Sequence, residues 1–260
     1  MTNDDRDYCL LRGWDKETCD IAQAYDRVAL DYDRLYSDST SRAESEAIMA
    51  IVRRAWKRSG AGHMLDLGCG TGLVLDYMNG THPRYTGIDI SPEMIFQAAR
   101  KHYIREASGE ANFKCLDMSD LSPFGCSSFT TVVSLFGSFS HCTRQTIAAA
   151  EMYRVLKPGG RIVVMACELG HQHNPEYLGN KYPTVNGMPL YECTAEWLSL
   201  IFQTVGFQNV LVRGLNVTGL ARAIPTVFGK GLFLLAEAGT LGAWRPDSGR
   251  HLIVTAKKGA

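Results

Sequence analysis

The sequence has no excess of charge of either sign: lysines and arginines total 27, aspartates and glutamates 27, in 260 residues. With no net field to gather a polyanion or an anionic surface, neither a long nucleic-acid groove nor a membrane-binding face is expected. It also lacks any apolar run near the roughly 20 residues that span a bilayer. The opening "MTNDDRDYCLLRG" is acidic and polar, where a secretory signal would be basic and then apolar. The expected location is the cytoplasm. Closely spaced cysteine pairs are missing as well. The 8 cysteines stand far apart, at 9, 19, 69, 115, 126, 142, 167 and 193, which argues against a zinc site or a disulfide framework and for small buried hydrophobes. No metal is expected.

What is present is an alternation of short elements. The first twenty-odd residues lack periodicity and read as an irregular lead-in. "DIAQAYDRVALDYDRLYS" places Ile21, Tyr25, Val28, Ala29, Tyr32 and Leu35 at helical steps, and a second amphipathic helix is expected over residues 41–58. From 62 onward strands and helices alternate, with strands near 62–67, 85–89, 111–116, 129–135, 160–167 and 207–213 and a closing strand in "HLIVTAKK". Such alternation means an α/β fold, a doubly wound parallel sheet with helices on both faces. Ser91, Pro92 and Glu93 are a cap, a first-turn proline and a dipole-complementing acid, so a helix begins there. In "LKPGGRIVV" the proline and glycine pair read as a helix stop and turn before a buried strand. Residues 1–60 are expected to form a helical cap and 61–260 the core, with substrate-side insertions at 168–192 and 214–249. The apolar stretch near 231–244 would be a lid or the face of a homodimer.

The most informative stretch is "HMLDLGCGTGLVLDYM", with glycines at 68, 70 and 72 between an apolar run and a helix. Glycines so placed permit a tight turn and let backbone amides approach a ligand unobstructed. Asp89 ends the next strand about twenty residues on, where a carboxylate can accept from both hydroxyls of a ribose. Asp117, in "FKCLDMSDL", follows the third strand and reaches the same edge, where it could accept from an adenine amino group. A nucleoside cofactor is implied, either NAD or S-adenosylmethionine. Spacing discriminates: a dinucleotide fingerprint needs a glycine at 73, which is Leu73. His141, a few residues past the fourth strand, is the best general-base candidate because an ordinary imidazole titrates near neutrality. A capping role for the same histidine stays open, and His171 is a second candidate.

"LDLGCGTG" with "GIDIS", "CLDMSDL" and "VLKPGG" resembles the class I S-adenosylmethionine-dependent methyltransferases of small-molecule type. The resemblance implies a seven-stranded Rossmann-like sheet, six strands parallel and the last antiparallel, with a helical insertion before that last strand. It implies S-adenosyl-L-methionine as cofactor and a metal-independent methyl transfer to oxygen, nitrogen or sulfur of a small molecule. Position by position, Gly68, Cys69 and Gly70 would hold the methionine moiety with Asp66 beneath, and Asp89 would take the ribose. Ile90 and Met94 would border the adenine, Asp117 and Met118 would face its amino edge, and Leu135 would line the cofactor on the substrate side. Tyr25 and Tyr32 would cover the methionine end. An NAD-dependent oxidoreductase and a non-catalytic cofactor-binding protein are the alternatives.

Overall fold

The computed structural model describes residues 9, 12–78, 80–81, 83–167, 181–183, 189–191, 193–215 and 251–259. Most of the two expected insertions, including His171 and the apolar stretch at 231–244, lies outside the described residues. Two helices come first, α1 (Lys16–Asp26) and α2 (Ser39–Arg58), joined through a 3-10 helix, Ala29–Tyr36. Then follow β1 (Met64–Leu67), α3 (Leu73–Tyr77), β2 (Tyr85–Asp89), α4 (Pro92–Lys101), α5 (Tyr103–Ala107), β3 (Ala111–Cys115) and β4 (Phe129–Ser134). A 3-10 turn, Ser138–His141, leads to α6 (Gln145–Val155) and β5 (Leu156–Cys167). A small hairpin, β6 (Lys181–Pro183) and β7 (Pro189–Tyr191), precedes α7 (Ala195–Thr204), β8 (Gln208–Leu215) and β9 (His251–Lys257).

The main sheet has seven strands in the order β3-β2-β1-β4-β5-β9-β8. The strands from β1 to β5 pair in parallel, and β9 runs antiparallel between β5 and β8. This is the expected sheet, with the last strand reversed. Its central strands read as continuous apolar runs because both faces are covered. On one face Leu65, Val132, Ile162 and Val254 pack with Ala148, Met152, Leu198 and Phe202 of α6 and α7. On the other, Met64, Val133, Val163 and Ile253 pack with Ala47, Ile48, Val52 and Trp56 of α2. Chain order reverses between β1 and β4, and a crevice opens at such a switch point beyond the carboxyl ends of the strands.

Two local expectations are corrected, and a third in part. The lead-in is helical from Lys16, because Asp15 caps α1 by accepting from the Thr18 amide at 2.8 Å. The helix expected to run on through Leu35 stops at Asp26 and continues as a 3-10 helix, which leaves Leu35 exposed. The segment Lys157–Gly160 falls within the bounds of β5, while the helix ends at Val155 and regular pairing begins at Arg161 as expected. Gly159 takes φ +75° and donates to Lys258 O at 3.1 Å, where the pairing with β4 shifts register. The glycines make a bulge in the strand. No helix among the described residues is long and apolar enough to cross a membrane.

Candidate active site

After β1 the chain reverses through Gly68, Gly70 and Gly72 at φ +74°, +53° and +84°, a left-handed region that side chains bearing a Cβ disfavour. Space is limiting too: a Cβ on Gly68 would sit 2.4 Å from Ser138 Cβ, and one on Gly72 2.8 Å from the His102 ring. Four amides of this turn are occupied. Those of Gly68 and Cys69 both donate to Ile88 O at 2.8 Å, that of Gly70 to Asp89 Oδ2 at 2.9 Å, and that of Gly72 to Cys69 O at 2.9 Å. For these four residues the expectation of open amides facing a ligand is corrected, while the Thr71 amide keeps no hydrogen-bond partner among the described residues. The glycines work through conformation and clearance, and β2 takes three of the turn's donors.

Asp89, at the end of β2, is tied by the amides of Gly70 and Ser91, one on each carboxylate oxygen, both at 2.9 Å. Each oxygen retains acceptor capacity. Burial pushes its pKa up to about 6, against the lowering pull of the Ser91 and Gly70 amides, and Asp26 adds a further upward push. Asp66 lies deeper. Its Oδ2 accepts from the Tyr85 hydroxyl at 2.6 Å, its Oδ1 is buried with no hydrogen-bond partner, and burial raises its pKa to about 7 despite the Tyr85 bond. Asp117, past β3, accepts from the Ser119 amide at 2.8 Å and from Arg144 Nη2 at 3.1 Å.

Residues 16–36 supply the cover. Tyr25 of α1 and Tyr32 of the 3-10 helix face the crevice, with ring centroids 6.0 Å apart. Tyr25 also meets the His141 ring edge-on at 5.5 Å, and burial pushes the pKa values of both tyrosines upward, so these are neutral phenols. Two carboxylates fasten the cover. Asp26 accepts from Ser91 Oγ at 2.5 Å and from the Glu93 amide at 3.1 Å, at the N-terminus of α4. Asp33 accepts from the Thr71 hydroxyl and from Lys101 Nζ, the latter at 2.8 Å. Neither aspartate was marked by sequence, since its partner is known only once the chain is folded.

A concave, partly open crevice lies between core and cover. Its wall brings together Tyr25, Tyr32, Gly68, Gly70, Asp89, Ile90, Met94, Asp117, Met118 and His141, all singled out from sequence. Three others are placed elsewhere. Asp66 lies beneath the turn, Cys69 is buried with its sulfur against Gly87, and Leu135 packs in the core with α2. Leu135 was expected to line the cofactor. The chain past β4 instead presents Ser138, whose Oγ donates to Gly68 O at 2.9 Å. Thr18, Ile21, Leu116, Ser138, Cys142 and Thr143 also line the crevice and went unmarked. Ile21 was findable, one helical turn before Tyr25; Thr18 and Thr143, with hydroxyls 3.4 Å apart, were not. Among the described residues the ionisable groups of the wall are acids, a histidine, tyrosines and a cysteine, with no lysine or arginine. Among the described residues no group of three or more His, Cys, Asp or Glu could hold a metal ion.

Comparison with known proteins agrees with this architecture. A family model described as a methyltransferase domain matches residues 65–164. The O-methyltransferase cnsE of Penicillium expansum is 30% identical over 181 residues, 68% of this chain and 63% of that protein. The ubiquinone/menaquinone biosynthesis C-methyltransferase UbiE of Geotalea daltonii is 30% identical over 156 residues, 56% of this chain and 62% of that one. The matches thus span between 51% and 64% of the length of the first four such relatives. Among solved structures, the [4+2]-cyclase SpnF superposes with a TM-score of 0.56 at 24% identity, over 82% of this chain and 81% of that one. The 1,6-didemethyltoxoflavin-N1-methyltransferase of Burkholderia thailandensis, solved with its substrate and S-adenosylhomocysteine, gives 0.58 at 15% identity over 92% and 88%. On the domain match and these relatives, residues 65–164 form a methyltransferase domain of the class I S-adenosylmethionine-dependent type.

Proposed function

We propose that the crevice binds S-adenosyl-L-methionine and that the protein transfers its methyl group to oxygen, nitrogen or sulfur of a small molecule. The reaction is read from the site because the same fold carries a protein described as a cyclase. The observation that supports it best is the charge and donor balance of the wall. A dinucleotide brings a pyrophosphate, which needs open amides at a helix N-terminus or a cationic side chain. Here the glycine-turn amides at 68, 69, 70 and 72 are occupied, that of Thr71 alone staying unpartnered among the described residues. Among those residues Asp89 and Asp117 line a wall without lysine or arginine, the one nearby cation, Arg144, being paired to Asp117. That environment suits a cationic nucleoside free of phosphate.

When bound, the cofactor supplies a methyl group on a sulfonium, already a good leaving group, so the protein's contribution is alignment. In this reading Asp89 accepts from the ribose hydroxyls, while Ile90, Met94 and Met118 enclose the adenine and Asp117 takes its amino group. Tyr25 and Tyr32 cover the methionine end and exclude water. His141, on the wall beside Tyr25, accepts the acceptor's proton. A test incubates the protein with S-adenosylmethionine labelled in its methyl group and a pool of polar metabolites. Label appearing in a small molecule supports the proposal. Cofactor bound with no acceptor labelled in any pool would instead favour the non-catalytic alternative.

Two further outcomes are expected. S-adenosylhomocysteine affinity should be level above about pH 7 and fall below the Asp89 pKa of about 6, because only the ionised carboxylate is a full acceptor for the ribose. The sign for the unliganded fold is opposite. A carboxyl whose pKa is raised by folding holds its proton more tightly than the unfolded chain does, so its contribution weakens stability as pH climbs from the ordinary range through about 6. Calorimetric titrations from pH 5 to 8 check the first, and an affinity that rises on acidification would contradict it. Once an acceptor is known, His141→Ala should lower kcat by about 100-fold or more with KM little changed, the usual range for a lost general base. Undiminished turnover at every pH would leave alignment as the whole mechanism.

A further inference from the structure

A second concave site lies on the α2 face of the sheet, at the opposite end of the strands from the crevice. It is lined by Arg54 and Arg58 of α2, Arg161 of β5 and Arg213 of β8, over a floor that includes Ile51, Leu211 and Ile253. Arg161 pairs with Thr131, and Thr131 with Met64, the first residue of β1, which places the groove at the amino-terminal end of the parallel strands. Lys257 stands directly opposite Arg161 on the neighbouring strand, so both side chains project from one face. No aspartate or glutamate among the described residues lines the groove.

This concentration of charge is out of keeping with the rest of the chain, which carries 27 basic and 27 acidic residues. Elsewhere arginines that are partly buried are answered: Arg53 by Glu46 and Tyr77 O, Arg144 by Asp117, Arg154 by Glu151. Arg213 has an interaction of its own. Arg54 and Arg58 are exposed and Arg161 half-buried; none of the three forms an ion pair among the described residues, and Arg161 Nε is buried without a hydrogen-bond partner, as is Arg105 Nε elsewhere. Cations gathered without counter-charge repel one another, and a buried guanidinium donor left unmet is costly. Both penalties are relieved by an oxyanion that takes paired N–H bonds from more than one guanidinium.

We propose that this groove is a binding site for a multiply charged phosphoryl group borne by a small molecule, separate from the methyl-transfer site. The concave shape favours a compact ligand over a macromolecular surface, and Arg54 and Arg58, one helical turn apart, can close on a phosphate held against Arg161.

The test titrates inorganic pyrophosphate into the full chain in phosphate-free buffer, with S-adenosylhomocysteine saturating, by calorimetry and by thermal unfolding. The expected result is saturable binding with a rise in Tm, beyond that given by sodium chloride at equal ionic strength. The double variant R54Q/R58Q should weaken pyrophosphate at least tenfold and leave S-adenosylhomocysteine affinity unchanged. R161Q should do the same, and agreement between the surface pair and the strand residue guards against a folding artefact in either. No saturable binding, a shift reproduced by salt alone, or full affinity retained in R54Q/R58Q would overturn the proposal.

Discussion

Asp89→Ala is expected to weaken S-adenosylhomocysteine binding by about 100-fold or more while the fold persists. Each hydrogen bond from a ribose hydroxyl to an ionised carboxylate contributes about 1.5–3 kcal/mol, and every 1.4 kcal/mol is about a factor of ten in affinity. Loss of two such bonds therefore passes two decades. The substitution also releases the Gly70 and Ser91 amides that Asp89 holds at 2.9 Å, which loosens the turn itself. Asp89→Asn, which keeps one acceptor oxygen, should fall between wild type and alanine. Titration calorimetry reads the affinities and circular dichroism the fold. An affinity for Asp89→Ala close to wild type would remove Asp89 from the site.

Gly68→Ala is expected to be the most destabilising single methyl addition in the turn. A left-handed residue with a Cβ costs about 1–2 kcal/mol, and overpacking a full site adds about 1–3 kcal/mol. The second contribution is large here because the new methyl would lie 2.4 Å from Ser138 Cβ and 2.5 Å from Ser138 Oγ, next to the backbone of the 3-10 turn rather than at a flexible side-chain end. A loss of about 3 kcal/mol corresponds to a Tm lower by roughly 6 °C for a protein of this size. The two causes separate in a double variant. Ser138→Gly removes the clash and leaves the φ strain, so Gly68→Ala/Ser138→Gly should regain part of the loss and not all of it. A Gly68→Ala protein that melts with wild type would mean that the turn is not as tightly closed as described.

The sheet was readable from sequence because local and tertiary demands coincide along it. Tyr85–Asp89 is apolar enough to be a strand buried on both faces, and Ser91, Pro92 and Glu93 start α4 by signals that need no distant partner. Misreadings arose where tertiary pairing overrode local chemistry. Pro158, Gly159 and Gly160 have turn composition and lie within β5, where they form an irregularity unpaired with β4 and tied to Lys258 and Gly259 just past β9. The acids of the site were found because a carboxylate just past a parallel strand must reach the ligand edge. Its supports were not, since Asp26 to Ser91 spans 65 positions, Asp33 to Thr71 38, and Arg144 to Asp117 27. Side-chain direction was the other blind spot. Cys69 and Leu135 sit at the right places along the chain, but their side chains turn into the core, a matter settled by packing against Gly87 and α2.

The charge balance of the crevice is most directly tested by calorimetric titration of the same protein preparation with S-adenosylhomocysteine and, separately, with NAD. Single-site binding of S-adenosylhomocysteine, with no heat from NAD and loss of the signal in Asp89→Ala, is the predicted result. Binding of NAD by an intact protein that ignores S-adenosylhomocysteine would contradict it.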